Sequence, residues 1–309
     1  MRPADTPFIV IAGMPARDTK LFPDGARVES LGGILFTATA AAVLSRDSGV
    51  DILPVMRAGR DVAPRALPLL ANTGCRLDAV HVVDDTTQHS IITFADADTR
   101  SERVDGGLPE LTPADLKPWL DADVIAVNFI TGREMSLSTF QWLRQHYPRP
   151  IIMDFHTLAL ETLPDGTRRH RRRQDWSEWI ACADVVQMNR DEAETLAGAC
   201  LSERRDCVEF ARGLLPLGPT AVVVTLADSG AVAVEQTRHG HTVHDLPAHS
   251  PDHVIDTVGC GDVFLAGLSV GWQRWRQCGC ALELASHAAG VSCGYEGLRG
   301  VEHLAAIEP

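Results

Sequence analysis

Seven residues late in the chain have the types and spacing of a phosphate site. They read Asp256-Thr257-Val258-Gly259-Cys260-Gly261-Asp262 and run straight into a small-residue helix that begins Val263-Phe264-Leu265-Ala266-Gly267. Glycines at the mouth of a helix let backbone N–H groups point outward, and the helix dipole adds partial positive charge, so the turn is built to hold a phosphate. An acid in the first helical turn, Asp262, then stands beside the bound phosphoryl group. Alone it would be an ordinary favourable charge at a helix N-terminus. With the flanking Asp256-Thr257 and the helix that follows, it becomes a candidate base. The chemistry this suggests is phosphoryl transfer to a hydroxyl, which must lose a proton as it attacks while donors gather the charge on the transferred group. Cys260, a thiol at a helix N-terminus, is expected to have more thiolate character than a buried structural cysteine.

Further polar residues stand at the ends of short apolar runs. Asn128 falls at the end of Val124 to Phe129, Asp154-Phe155-His156 at the end of Ile151 to Phe155, and Asn189-Arg190-Asp191-Glu192 directly after Val185 to Met188. With Phe8 to Ala12 and Ala221 to Leu226, these runs are nearly continuous in apolar residues, as strands buried on both faces should be. Between them lie helix patterns at Thr37 to Arg46, Ser136 to His146, Arg190 to Ala197, Glu203 to Leu215, Asp262 to Arg276 and Ala281 to Cys293. The alternation predicts an α/β fold, a doubly wound and mostly parallel sheet flanked by helices, with residues 1–309 as a single domain. Two stretches break the rhythm. Thr86 to Val104 alternates polar and apolar residues through a turn at Ala95-Asp96-Ala97-Asp98 and reads as a hairpin with one wet face. Met14 to Leu31 is irregular. Together, residues 14–31 and 86–104 are read as a small inserted β lid. The run Arg168-Arg169-His170-Arg171-Arg172-Arg173 follows the turn Pro164-Asp165-Gly166 and is expected as a solvated loop; its rival role is an anion-facing loop near Asp154.

Composition narrows the function class. The 309 residues carry 28 Lys and Arg against 41 Asp and Glu, a net charge of −13, which argues against a nucleic-acid partner because the phosphate backbone demands clustered positive charge. The longest apolar run, Ile34 to Leu44, is well short of the roughly 18 residues that suggest a membrane span. Met1 to Asp5 shows no start of a secretory signal. Eight cysteines are scattered without a C-x-x-C pair, so a reduced, cytoplasmic chain is expected.

The heptad from Asp256 to Asp262 resembles the second signature of the ribokinase-like (PfkB) carbohydrate kinase family, Asp-Thr-x-Gly-Ala-Gly-Asp, with Cys260 in place of alanine. The resemblance implies that Gly259, Cys260 and Gly261 form an anion hole, that Asp262 is the base, and that Asp256 and Thr257 belong to the nucleotide side. Asn189 to Glu192 resembles the family's Asn-x-x-Glu motif, which organises Mg²⁺ and its waters. Thr225-Leu226-Ala227-Asp228-Ser229-Gly230 resembles the Thr-x-Gly-x-x-Gly turn around ATP, with Ala227 replacing a glycine, and His287 falls where relatives line the adenine. In the N-terminal half, Gly13 with Asp18, and Gly32-Gly33, resemble the acceptor-binding motifs. Ala16 and Thr37, however, replace asparagines that hold sugar hydroxyls. Asp154 stands where relatives carry Asp-x-Asn, and Asp154 and Asn128 are candidate acceptor contacts.

The resemblance implies an ATP-dependent, Mg²⁺-requiring kinase for a hydroxyl of a small sugar or sugar-like molecule, with a monovalent cation as an additional ion. Two alternatives stay open: a nucleoside kinase of the same fold, and a catalytically silent sugar-binding regulatory protein. Exposed strand edges on a lid are often covered by a second copy, so a homodimer through the lid is an expectation too.

Overall fold

The computed structural model describes residues 6–94, 100–249, 251 and 253–307; the turn expected at Ala95 to Asp98 lies outside them. In chain order the strands are β1 (Phe8–Gly13), β2 (Pro15–Leu21), β3 (Arg27–Gly33), β4 (Asp51–Gly59), β5 (Val80–Val83), β6 (His89–Phe94), β7 (Arg100–Asp105), β8 (Val124–Asn128), β9 (Ile151–Asp154), β10 (Leu160–Thr162), β11 (Arg168–His170), β12 (Val185–Asn189), β13 (Ala221–Thr225), β14 (Ala231–Thr237) and β15 (Gly240–Leu246). The helices are α1 (Ile34–Ser45), α2 (Ala63–Thr73), α3 (Pro113–Leu116), α4 (Leu137–His146), α5 (Trp176–Ile180), α6 (Arg190–Ala197), α7 (Arg204–Leu214), α8 (Cys260–Trp275) and α9 (Cys278–Ser292). None of the described helices is long and apolar enough to cross a membrane.

Nine strands form one sheet in the order β15-β14-β13-β12-β9-β8-β1-β4-β5. Pairing is parallel from β5 through β13 and antiparallel for β14 and β15. Helices cover both faces, and the sequence of β1 shows why. Ile9 and Ile11 point into a core shared with α1, α2, α8 and α9, while Phe8, Val10 and Ala12 point into one shared with Phe140 and Leu143 of α4, Trp179 of α5 and Leu196 of α6. A strand loaded on both faces has no polar side to alternate with.

A separate four-stranded sheet, β3-β2-β6-β7, is built from the two stretches that broke the rhythm. The hairpin expected around Ser90 to Val104 is present as antiparallel β6 and β7. The stretch from Met14, irregular in pattern and read as part of the small β lid, forms β2 and β3, which pair from Pro15↔Gly33 to Leu21↔Arg27. Its strands carry too few β-branched residues to read as extended, and pairing with the neighbours supplies what propensity does not.

The elements β4, α2, β14 and β15 were not expected from the sequence. β4 carries Pro54, which argues against a central strand. Pro54, however, precedes the segment Met56–Gly59 that pairs with β5, so its missing N–H removes no ladder bond to that neighbour. α2 carries Pro64 in its first turn, where proline is tolerated, and Pro68 in its interior, where proline normally breaks a helix. β14 and β15 extend the sheet as an antiparallel edge.

Candidate active site

Register lines up the polar strand ends. Gly13 pairs with Asn128, Asn128 with Asp154, Asp154 with Gln187, and Asn189 with Thr225. Each of these residues closes, or nearly closes, a parallel strand, so their side chains collect along the carboxyl edge of the sheet, where doubly wound folds bind ligands. A cleft of about 280 Å³ lies there, walled by the strand ends, by the turn Thr257 to Asp262 and by the small sheet through Asp18, Ser90, Ile92 and Glu102.

The turn before α8 is shaped by its glycines. Gly259 has φ 86°, and a Cβ there would come within 2.7 Å of the Phe36 ring. Gly261 borders open space, with nothing within 4 Å of where a Cβ would sit. The first N–H groups of α8 have no intrahelical carbonyl to bond, so this end of the cleft is a ready anion site.

Asp262 enters the cleft from the first turn of α8 and is 9% exposed. Asn128 Nδ2 donates to its Oδ1 at 2.8 Å, which fixes the carboxylate. Burial pushes its pKa up to about 6, against the lowering effect of the Asn128 hydrogen bond. Gln187 Nε2 donates to the Gly261 carbonyl at 2.9 Å and ties the turn to β12.

Asn189 and Glu192 form a reciprocal cap on α6. The Asn189 N–H donates to Glu192 Oε2 at 2.8 Å, and the Glu192 N–H donates to Asn189 Oδ1 at 2.9 Å. Glu192 Oε1 accepts from Asn189 Nδ2 at 2.7 Å and lies 2.8 Å from His156 Nδ1. Burial lowers the His156 pKa, but the Glu192 hydrogen bond and the charges of Glu192, Asp154 and Asp262 outweigh it and bring it to about 9. His156 is therefore a cation against this carboxylate cluster. Burial first, then Glu192, holds the Asp154 carboxyl well above the ordinary range.

On the other wall, burial and then the Glu102 charge push Asp18 up to about 7. A Cβ on Gly32 would come within 2.5 Å of Asp18 Oδ2, so the glycine leaves that carboxylate its space.

Of the residues singled out in the sequence, Asp18, Gly33, Asp154, Asn189, Glu192, Thr225, Thr257, Gly259, Gly261 and Asp262 all border this cleft. Asn128, expected as an acceptor contact, is fully buried and hydrogen-bonded to Asp262 rather than bordering the cleft. Asp256 points away: Lys20 Nζ of β2 donates to both its oxygens at 3.0 Å, and its Oδ1 accepts the Val258 N–H. His287 rings against His249 at 3.9 Å rather than bordering the cleft. Gly230 holds a turn with φ 85°, and Ala227 adopts φ 51°, keeping a left-handed conformation where the motif has glycine. Thr37 is fully buried, and its hydroxyl has no partner.

Two expectations need correction. Cys260 is not an isolated thiol at the helix N-terminus. Its Sγ lies 3.1 Å from Cys293 Sγ, and this hydrogen bond, with burial, raises its pKa. The same bond lowers Cys293 to about 7 against its own burial. The basic run is not one solvated loop either. Arg168 of β11 has a side chain only 4% exposed and donates to Glu102 Oε1, Gln88 Oε1 and the carbonyls of Ile130 and Thr131. Only its neighbours face outward: Arg169 and Arg171 on Glu161, Arg172 over Trp176, Arg173 on Asp175. Pairing of β11 with β10 and the contacts of Arg168 to Glu102, Ile130 and Thr131, all distant in sequence, bring Arg168 to the cleft. His156, Gln187, Ser90 and Glu102 also border the cleft without having been assigned a role. His156 sits two residues past a strand-end acid, and that was its one sequence cue.

Residues 37–303 match the pfkB family carbohydrate kinase profile. A cytidine kinase from Thermococcus kodakarensis is 24% identical over 273 residues, covering 87% of this chain and 89% of that protein. Among solved structures, a sulfate complex of a pyrophosphate-dependent kinase in the ribokinase family has a TM-score of 0.78 at 20% identity, covering 97% of this chain and 99% of the other. Arabidopsis thaliana ribokinase complexed with ribose and ATP has a TM-score of 0.73 at 18% identity, covering 98% and 99%.

Proposed function

The chain belongs to the pfkB family of carbohydrate kinases, and from that premise we propose that it transfers the γ-phosphoryl group of ATP to a hydroxyl of a small sugar or nucleoside. The observation that carries the reading is Asp262: a buried carboxylate in the first turn of α8, beside the glycine turn, held by Asn128 at 2.8 Å. A base in that place takes the acceptor proton as the hydroxyl attacks, while the Gly259 to Gly261 backbone gathers the charge on the transferred group. Its pKa of about 6 leaves it ionised near neutrality yet more basic than a free aspartate.

Asp18 and Asp154 face the acceptor; Thr225 and Thr257 border the donor end. Oxygen donors suit Mg²⁺, and Asn189 and Glu192 supply them. Both Glu192 oxygens already accept protein hydrogen bonds, so these side chains would hold the ion through its waters. When bound, Mg²⁺ neutralises phosphate charge. His156 helps to orient Glu192 through the oxygen that Asn189 Nδ2 also bonds.

Nucleosides stand beside sugars as acceptors because the cytidine kinase relative spans most of both chains. A catalytically silent binder would have no use for a positioned base facing an anion site. The test is a coupled ADP-release screen over sugars, polyols, sugar phosphates and nucleosides with Mg-ATP. At least one acceptor should raise ADP release far above the acceptor-free background; uniform background across all four classes would contradict the kinase reading.

A further inference from the structure

We propose that Cys260 and Cys293 form a reversible modification site, an intramolecular disulfide made by peroxides at the edge of the anion-binding turn. Cys260 is the first residue of α8 and lies between the two glycines of that turn. Cys293 caps the C-terminus of α9. Their sulfurs are 3.1 Å apart, and both side chains are half-buried, so a small oxidant reaches them. Burial separates this pair from Cys75, Cys182, Cys207 and Cys278, which are enclosed.

The backbone couples the pair to the turn. The Cys293 carbonyl accepts the N–H groups of Ile255, at 2.7 Å, and Asp256, at 3.3 Å, and the Ser292 hydroxyl donates to Cys260 Sγ at 3.5 Å. The end of α9 and the approach to α8 thus form one packed unit. Either sulfur can donate in the shared hydrogen bond; the one left as thiolate attacks first, since the thiolate is the nucleophile, and with Cys260 as the donor that is Cys293.

The chemistry balances with a hydroperoxide as oxidant. The Cys293 thiolate attacks the outer oxygen, the O–O bond breaks, and an alcohol leaves once protonated, with Cys293 now a sulfenic acid. The Cys260 sulfur then attacks the sulfenyl sulfur and loses its proton, and hydroxide leaves with that proton as water. Two thiols supply two electrons, and the peroxide is reduced to alcohol and water. A dithiol reductant reverses the bond by exchange.

Closing the bond brings the sulfurs from 3.1 Å to about 2.05 Å, an approach of about 1 Å shared between the Cys260 and Cys293 side chains beside the anion-binding turn. A misplacement of that size in a reacting geometry lowers turnover by roughly 10²-fold. That effect on turnover rests on the proposed function; the disulfide itself does not.

The experiment treats the purified protein with tert-butyl hydroperoxide, digests it without reduction and reads cross-linked peptides by mass spectrometry, with ADP release followed in parallel. The expected result is a Cys260–Cys293 peptide pair, loss of turnover, recovery with dithiothreitol, and resistance of Cys293→Ala to the same treatment. Cys293→Ser gives a second variant should the first fold poorly. Absence of the cross-linked pair, or cross-links through Cys200 or Cys280 instead, would overturn the site. A cross-link with unchanged turnover would keep the disulfide and remove its hold on the turn. If no acceptor is ever found, the mass measurement still decides the modification.

Discussion

At the scale of single residues, the site rests on carboxylates held away from water. Asp262 has its pKa raised to about 6 by burial, so the form able to accept a proton declines about tenfold per pH unit below that value. kcat/KM for the best acceptor is expected to rise with pH and level off above about 6. A rate profile flat through that region would remove Asp262 from the protonation step. The same shift has a stability side. A carboxyl whose folded pKa lies above its unfolded value of 3.8 contributes stability below that value and loses it as pH rises through about 6. The burial penalty at alkaline pH is on the order of 3 kcal/mol. Glu192 supplies the second residue-scale prediction: Glu192→Gln should demand much more Mg²⁺ for half-maximal turnover while leaving acceptor binding nearly unchanged. A superimposable Mg²⁺ titration would exclude it. Much of this was legible in the sequence, because Asn189 to Glu192 and Asp256 to Asp262 are local patterns whose backbone geometry follows from their own residues. Cys260 was misread, since its acidity is set by Cys293, 33 positions away, and no local pattern encodes that contact.

At the scale of elements, the small sheet is joined to the anion site by charged side chains. Lys20 of β2 meets Asp256 at 3.0 Å with both side chains nearly buried, at 10% and 13% exposure. Arg168 of β11 joins β7, through Glu102, to the loop after β8. Removing one partner of a buried pair strands the other charge, and Lys20→Met is expected to cost up to roughly 3 kcal/mol, the retained Val258 N–H on Asp256 moderating the loss. Denaturant melts of the variant measure it directly; a parent-like midpoint would make this pair a bystander. Arg168→Met should lower stability and raise the acceptor KM, whereas replacing exposed Arg169 and Arg171 should change either by little, as exposed pairs contribute about 0–1 kcal/mol. Equal effects at all three positions would return the run to one solvated surface. The strands at the sheet centre were readable because double-sided burial leaves a continuous apolar run. β2, β3 and β4 were not, because polar residues in the first two and Pro54 in the third are tolerated only by neighbours distant in sequence.

At the scale of the whole molecule, the carboxyl edge of the nine-stranded sheet, the small sheet and the turn before α8 bring together residues from position 18 to position 262, so donor and acceptor should both report on global stability. Mg-ATP at about 100 times its dissociation constant should stabilise the folded chain by roughly 2.7 kcal/mol, read as a rise in melting temperature that a good acceptor increases further. The central claim is that this fold carries Asp262 as the base, and the most direct measurement is turnover of Asp262→Asn beside its melting curve and its nucleotide titration. Asparagine can still accept from Asn128 but cannot take the hydroxyl proton. The account predicts turnover lower by about 10²–10⁴-fold, nucleotide affinity close to the parent, and a melting temperature at alkaline pH no lower than the parent's, because a buried charge has been removed. Parent-like turnover, or a loss of turnover explained by unfolding or by lost nucleotide binding, would contradict it.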